Sequence, residues 1–139
     1  MTIKEIFDAE VVEIDDPAIL ISINKTVDER SIYDAARFAW KLKLEEAEKA
    51  ELIFAITRGV IRGVFIAKQW LPATEDNFPN FRLINEEVYT PTLREKRFGF
   101  IGHAAPEYFQ EKYLGKKIPE KFRKRGASNP IKYSWKAKD

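Results

Sequence analysis

Cysteine is absent from the 139-residue chain, and histidine and methionine each occur once. Without cysteine the chain has no disulfide, no thiol nucleophile and no thiolate metal site. The one histidine, His103, is too little for catalysis by a pair of histidines. The sequence also lacks a P-loop, a G-x-G-x-x-G fingerprint and an H-E-x-x-H motif. We therefore expect a protein that is not an enzyme and that carries no cofactor or metal.

Long apolar runs are also missing, because none approaches the roughly 20 residues that a membrane-spanning helix needs. The first residues lack the basic and then apolar profile of a signal peptide. Glycine (6) and proline (7) are few beside 10 phenylalanines, 5 tyrosines and 3 tryptophans, which favours a folded chain. We expect one domain over residues 1–139, with its core at about 10–135, in a soluble, cytoplasmic protein without a membrane partner.

Positive charge is scarce at one end of the chain and concentrated at the other. Residues 1–30 contain 3 basic and 8 acidic residues, whereas residues 112–139 contain 10 basic and 2 acidic residues. The formal net charge of +2 hides this asymmetry. A basic segment of this kind attracts phosphate or other anions, although a solvated segment without any partner has the same composition.

The pattern of apolar and turn residues predicts an α+β fold, with a small twisted antiparallel sheet or a partial barrel and two to three helices. Predicted strands cover residues 10–14, 18–25, 52–57, 60–66, 97–102 and 131–135. Predicted helices cover residues 31–42, 44–50 and 106–113. Arg58-Gly59 is the strongest hairpin signal, and the apolar strands on either side of it are expected to be central. Residues 73–93 are predicted to form a long loop, with a candidate edge strand at 81–90.

The predicted helix 31–42 combines aromatic and basic side chains on one face. Tyr33, Arg37 and Trp40 follow one another at helical spacing, which would stack their side chains. Such a face suits a ligand that offers both a ring and a charge. The same spacing also fits a wide core stripe with Arg37 at its margin.

Aromatic, cationic and amide side chains also lie at the ends of other predicted strands and in a basic loop at 122–130. These are the groups that stack on bases and neutralise phosphates. The candidate ligand-binding residues are Asn24, Lys25, Arg37, Trp40, Lys68, Trp70, Arg123, Lys124, Arg125 and Asn129. We assign His103 a structural role, with ligand contact as the alternative. The acidic pairs Asp15-Asp16 and Glu86-Glu87 are interpreted as solvated turns.

Several sequence blocks between residues 18 and 133 together resemble a known domain. The blocks are residues 20–26, 32–41, 63–65, 70–74, 97–102 and 126–133. They resemble the accessory domain of bacterial GIY-YIG nucleases of the LEM-nuclease-like group. The GIY-YIG pair of strand motifs is absent from the chain, so the resemblance implies no nuclease activity.

The predicted domain is also similar in outline to the PUA, ASCH and EVE group of small β-barrels, which bind a base or nucleotide beside the barrel. A copy without its enzyme resembles, in logic, small phage anti-defence proteins that sequester nucleotide immune signals. Cyclic ADP-ribose derivatives and cyclic oligonucleotides are signals of this class. These resemblances imply a non-catalytic protein that binds a small nucleotide-derived ligand, and a homo-oligomer is compatible with that role. The alternatives are a DNA- or RNA-binding module and a protein-interaction module.

Overall fold

Six strands and three short helices occur in the part of the chain that the structure, a computed structural model, describes. That part comprises residues 9–23, 31–37, 40–74, 76–78, 97–123 and 130–136. The strands are β1 (Ala18–Ser22), β2 (Trp40–Lys41), β3 (Leu52–Thr57), β4 (Val60–Pro72), β5 (Arg97–Ala104) and β6 (Ile131–Tyr133). The helices are α1 (Ile32–Arg37), α2 (Leu44–Ala47) and α3 (Glu107–Tyr113), and 3-10 turns lie at Glu120–Phe122 and Ser134–Lys136.

All six strands belong to one sheet, in the order β2-β5-β4-β3-β1-β6. The sheet curls into a nearly closed, partial barrel, so the predicted α+β fold with a partial barrel is confirmed. Strands β1 and β3 pair in parallel, whereas the other neighbours are antiparallel, which makes the sheet mixed. The polypeptide between β1 and β3 contains α1, β2 and α2, and this long connection permits the parallel pair.

The predicted hairpin is confirmed in the centre of the sheet. Thr57 pairs with Val60, and the two residues between them have positive φ values, 49° at Arg58 and 79° at Gly59. This is the backbone of a type I′ turn, whose twist matches that of the strands. Every residue of β3 is buried, as expected for a central strand covered on both faces.

Strand β4 is 13 residues long and contains two β-bulges. Two adjacent residues of β3 pair with Gly63 and Ile61 of β4, which leaves Arg62 as the extra residue in β4. In the pairing of β4 with β5, Lys68 is likewise an extra residue without a partner position in β5. Bulges bend a strand and increase its twist, so both help β4 to follow the curvature of the barrel.

Buried side chains form one core on each face of the sheet. The first core lies on the side of α1 and α2, and its largest members include Ile19, Ile53, Phe65 and Phe100. The second core lies on the side of α3 and the 3-10 turn at Glu120–Phe122, and its largest members include Leu20, Phe54, Ile61 and Tyr113. The alternation of side chains along the strands sends neighbouring residues to opposite cores.

The predicted strand at residues 10–14 is wrong. Only Val11 makes a bridge, to Lys117. Strand β1 is already paired on one edge with β3 and on the other with β6, so no edge of β1 remains for the preceding segment. Val12 and Ile14 instead pack against the second core.

The predicted helix 31–42 is too long. Helix α1 ends at Arg37, and Trp40 and Lys41 pair with Phe98 and Arg97 as strand β2. Cross-strand pairing of the two aromatic residues outweighs the helical spacing of the sequence. The second helix is also shorter than the predicted 44–50, since α2 ends at Ala47.

Other boundaries shift because strands extend wherever a partner is available. Strands β4 and β5 continue to Pro72 and Ala104, beyond the predicted 66 and 102, because they pair with each other.

Strand β6, in contrast, is shorter than predicted and ends at Tyr133 rather than at 135. There Ser134 accepts a hydrogen bond from the Ala18 amide (2.9 Å) and donates one to the Asp16 carbonyl (3.2 Å), and the chain turns.

The interpretation of Asp15-Asp16 as a solvated turn is wrong for Asp16. The buried Tyr113 hydroxyl donates to Asp16 Oδ2 at 2.6 Å, and Lys112 Nζ lies 3.3 Å from the same oxygen. Burial raises the pKa of Tyr113, and the hydrogen bond to Asp16 adds to this effect. This network fastens the segment before β1 to α3.

Candidate functional site

The candidate site is built around Arg37 at the end of α1. Ser31 begins this helix, because its Oγ accepts a hydrogen bond from the Asp34 amide at 3.1 Å. One turn later, Arg37 Nε donates to Asp34 Oδ1 at 2.8 Å. The Arg37 side chain is 22% exposed, so the guanidinium lies at the boundary between the first core and solvent.

Two aromatic rings flank this guanidinium. Its central carbon lies 4.9 Å from the ring centroid of Tyr33 and 5.7 Å from that of Phe78. Both distances are within the range of a cation–π interaction. A methyl group on Gly99 would lie 2.5 Å from the Arg37 carbonyl oxygen and 2.6 Å from Phe78, so this glycine permits the close packing.

Tyr33 anchors α1 to the sheet through its hydroxyl. The hydroxyl donates to the Gly102 carbonyl at 3.1 Å and accepts from the Gly102 amide at 2.9 Å. Gly102 lies opposite the bulge at Lys68. A Cβ atom on Gly102 would come within 1.9 Å of the Ile66 carbonyl oxygen. The ring of Tyr33 contacts Phe65 and Phe100, with centroids 5.4 and 5.9 Å away.

Two half-buried tryptophans extend the same aromatic surface. Trp70 pairs across the sheet with Phe100, and their ring centroids are 5.2 Å apart. Trp40 pairs with Phe98, and its indole N–H donates to the Ala36 carbonyl at 2.6 Å. Both tryptophans pack against the first core. We call these residues the aromatic–cation cluster: Tyr33, Arg37, Trp40, Trp70, Phe78, Phe98 and Phe100.

The structure thus brings together three of the predicted site residues, Arg37, Trp40 and Trp70. Lys68 is exposed and lies two residues before Trp70 in the bulge of β4. His103, for which we predict a structural role, is exposed, and its Nδ1 lies 2.9 Å from the Ala104 carbonyl oxygen.

Arg123 lies at the other end of β4. Its Nε donates to the Ile118 carbonyl at 2.9 Å, and its side chain packs over the hairpin turn beside Gly59. About ten residues of β4, roughly 30 Å of strand, separate this turn from Trp70. Arg123 also follows Phe122 of the second core, on the opposite face of the sheet. The structure therefore does not place Arg123 in the aromatic–cation cluster.

Five further candidates, Asn24, Lys25, Lys124, Arg125 and Asn129, lie outside the described residues, as does the Glu86-Glu87 pair. Sequence reasoning missed Phe78 and gave Tyr33 only a supporting place. Phe78 falls in the predicted loop 73–93, where no periodicity indicates that its side chain is buried. Its single signal is that it is a large aromatic residue in a polar segment.

The third tryptophan has a different environment. The Trp135 indole donates to Glu46 Oε2 at 3.2 Å, and Lys136 Nζ lies 3.3 Å from the same oxygen. The hydrogen bond from Trp135 is the main cause that lowers the pKa of Glu46. These contacts join the last described turn to α2, so Trp135 has a structural role.

The aromatic–cation cluster combines two kinds of group that can contact a ligand. It offers half-buried rings for stacking and a guanidinium for an anion.

Among the residues that the structure describes, no three His, Cys, Asp or Glu side chains are grouped to hold a metal ion. Within the same residues, no helix has the length and apolar character to cross a membrane. No family model, curated protein or solved structure matches the chain.

Proposed function

We propose that this chain is a non-catalytic binding protein for a small nucleotide-derived ligand, and that it acts in the cytoplasm. The observation that carries the proposal is the aromatic–cation cluster, in which Arg37 lies within cation–π distance of Tyr33 and Phe78 and two half-buried tryptophans pack against the same core. A base stacks on an aromatic face, and a phosphate pairs with a guanidinium. One small ligand containing both groups matches this surface.

Within this proposal, each member of the cluster has a distinct role. Trp70 and Trp40 supply the stacking surface, and Arg37 contacts a phosphate. Asp34 orients the guanidinium through the bond to Nε. Lys68, exposed in the bulge, adds positive charge at the margin of the site. Sequestration of a cyclic nucleotide signal is the form of this function that we favour, because such a signal offers both a base for stacking and a phosphate for Arg37.

Intrinsic tryptophan fluorescence tests the proposal. The purified protein is titrated with AMP, cyclic ADP-ribose, cyclic di-AMP and inorganic phosphate. Stacking of a base on Trp70 or Trp40 should quench the emission, whereas phosphate alone should leave it unchanged. A reporter variant, Trp135→Phe, removes the emission of the structural tryptophan. Absence of quenching by all three nucleotides would contradict the proposal.

Variants of Arg37 separate its shape from its charge. Arg37→Gln should weaken nucleotide binding at least tenfold, about 1.4 kcal/mol, because a charged hydrogen bond to phosphate is lost. Arg37→Lys retains the charge but not the planar guanidinium, and should recover only part of the affinity. Lys41→Gln, at an exposed position on β2, is the charge-matched control and should bind like the wild type.

A further inference from the structure

Basic side chains surround the β3–β4 turn, at the end of the sheet away from the cluster. Residues 58–62 and 116–123 together contain six basic residues and one acidic residue, Glu120. We call the six the hairpin-tip basic surface: Arg58, Arg62, Lys116, Lys117, Lys121 and Arg123. Each is exposed or half-exposed.

Backbone contacts hold the two segments of this surface together. The Ile118 amide donates to the Gly59 carbonyl at 2.9 Å, and the Ile61 amide donates to the Lys116 carbonyl at 2.8 Å. Lys117 makes an antiparallel bridge to Val60. The two segments therefore lie side by side in the fold, although they are more than 50 positions apart in sequence.

Two local features place cations where the backbone is irregular. Arg58 has a φ of 49°, in the left-handed region that favours glycine or asparagine. Arg62 is the extra residue of the first bulge in β4. Strained residues and bulges are enriched at functional sites, and each here carries a positive charge at or beside the turn.

We propose that the hairpin-tip basic surface binds the phosphodiester backbone of nucleic acid. Six cations around one turn exceed what a single phosphate needs and suit a ligand that repeats its charge. Within this surface, Lys116 pairs with Glu10 at 3.3 Å. The surface is separate from the aromatic–cation cluster, so this inference is independent of the proposed function.

Fluorescence anisotropy with a labelled 20-base-pair DNA duplex and a labelled single strand of the same length tests the inference. Four phosphate contacts to the duplex predict a loss of affinity of about 150-fold between about 50 and 200 mM salt. The single strand should show a shallower dependence on salt. Absence of binding to both, or affinity that does not change with salt, would overturn the inference.

The double variant Arg58→Asn/Lys117→Gln removes two cations from the tip. Asparagine fits the left-handed turn position, so the fold should be retained, and a thermal melt verifies this. The slope of log affinity against log salt should become shallower by about 1.8. The control Lys41→Gln/Lys43→Gln has the same net charge but alters exposed positions away from the tip. Equal loss of affinity in both double variants would overturn the assignment of this surface.

Two further arms exclude other readings. Poly-glutamate added as a competitor should displace the duplex far less effectively than unlabelled duplex does. Equal displacement would assign the surface to acidic polypeptides instead. Arg37→Gln should leave duplex affinity unchanged, so failure of the small-ligand proposal and failure of this one give different results.

Discussion

Removing the Tyr113 hydroxyl should destabilise the protein by about 2 kcal/mol. In the Tyr113→Phe variant the ring still fills the second core, where it packs 4.7 Å from Phe54 between centroids. What is lost is the 2.6 Å bond to Asp16 Oδ2 and the acceptor for the Asp15 amide, which lies 3.2 Å away. The effect should therefore come from the polar network and not from a cavity.

The magnitude follows from the type of bond. A hydrogen bond to a charged group contributes about 1.5–3 kcal/mol. The Asp16 side chain is 23% exposed and keeps Lys112 as a partner, so the lower part of this range applies. For a chain of this length, about 2 kcal/mol corresponds to a fall in Tm of about 7 °C.

Urea unfolding followed by circular dichroism measures this change in the free energy of unfolding. The matched control is Tyr108→Phe, which removes a hydroxyl from the same helix at a position that is 67% exposed. The control should stay within about 0.5 kcal/mol of the wild type. If Tyr113→Phe also stays within that limit, the network does not hold the segment before β1 on α3 and our reasoning is wrong.

Four further predictions concern the stability of the fold. Gly102→Ala should cost about 3 kcal/mol, because a Cβ atom would lie 1.9 Å from a carbonyl oxygen of β4. Gly115→Ala, where φ is +79° but nothing lies within 4 Å, should cost only about 1 kcal/mol in the same urea assay. Burial raises the pKa of both Tyr113 and Tyr133 above 10.0, so the folded state retains their protons and stability should fall as pH rises above about 10. Urea unfolding at several alkaline pH values should show that the free energy of unfolding falls less with pH in Tyr133→Phe than in the wild type. The pKa of Glu46 lies below 4.5, so its contribution to stability is present above that pH and is lost on acidification. Glu46→Gln should therefore flatten the acid limb of Tm plotted against pH, and an unchanged acid limb would contradict this assignment.

The sheet was largely predictable from the sequence because its strands carry strong local signals. The apolar runs on either side of Arg58-Gly59 locate β3 and the start of β4, and a two-residue turn with glycine specifies their hairpin. The parallel pairing of β1 with β3 was not predictable from local pattern. It depends on which edges are left free once β6 has paired with β1.

The candidate site was only partly predictable, because residues that meet in space come from separate elements. Helical spacing correctly joins Tyr33 to Arg37, whereas Trp40 reaches the same cluster from a strand. Basic composition alone places Arg123 with the tryptophans. Its actual position over Gly59 depends on the path of the chain after α3, which no local pattern specifies.

Thermal unfolding of the wild-type protein with small nucleotides tests the central claim most directly. The panel contains AMP, cyclic ADP-ribose, cyclic di-AMP and a cyclic trinucleotide, each measured at low and at high salt. A ligand at 100 times its Kd should stabilise the protein by about 2.7 kcal/mol, a rise in Tm of about 8–10 °C. We predict such a rise for at least one small nucleotide, retained at high salt and lost in Arg37→Gln. No rise with any member of the panel would contradict the claim that the aromatic–cation cluster is a nucleotide site.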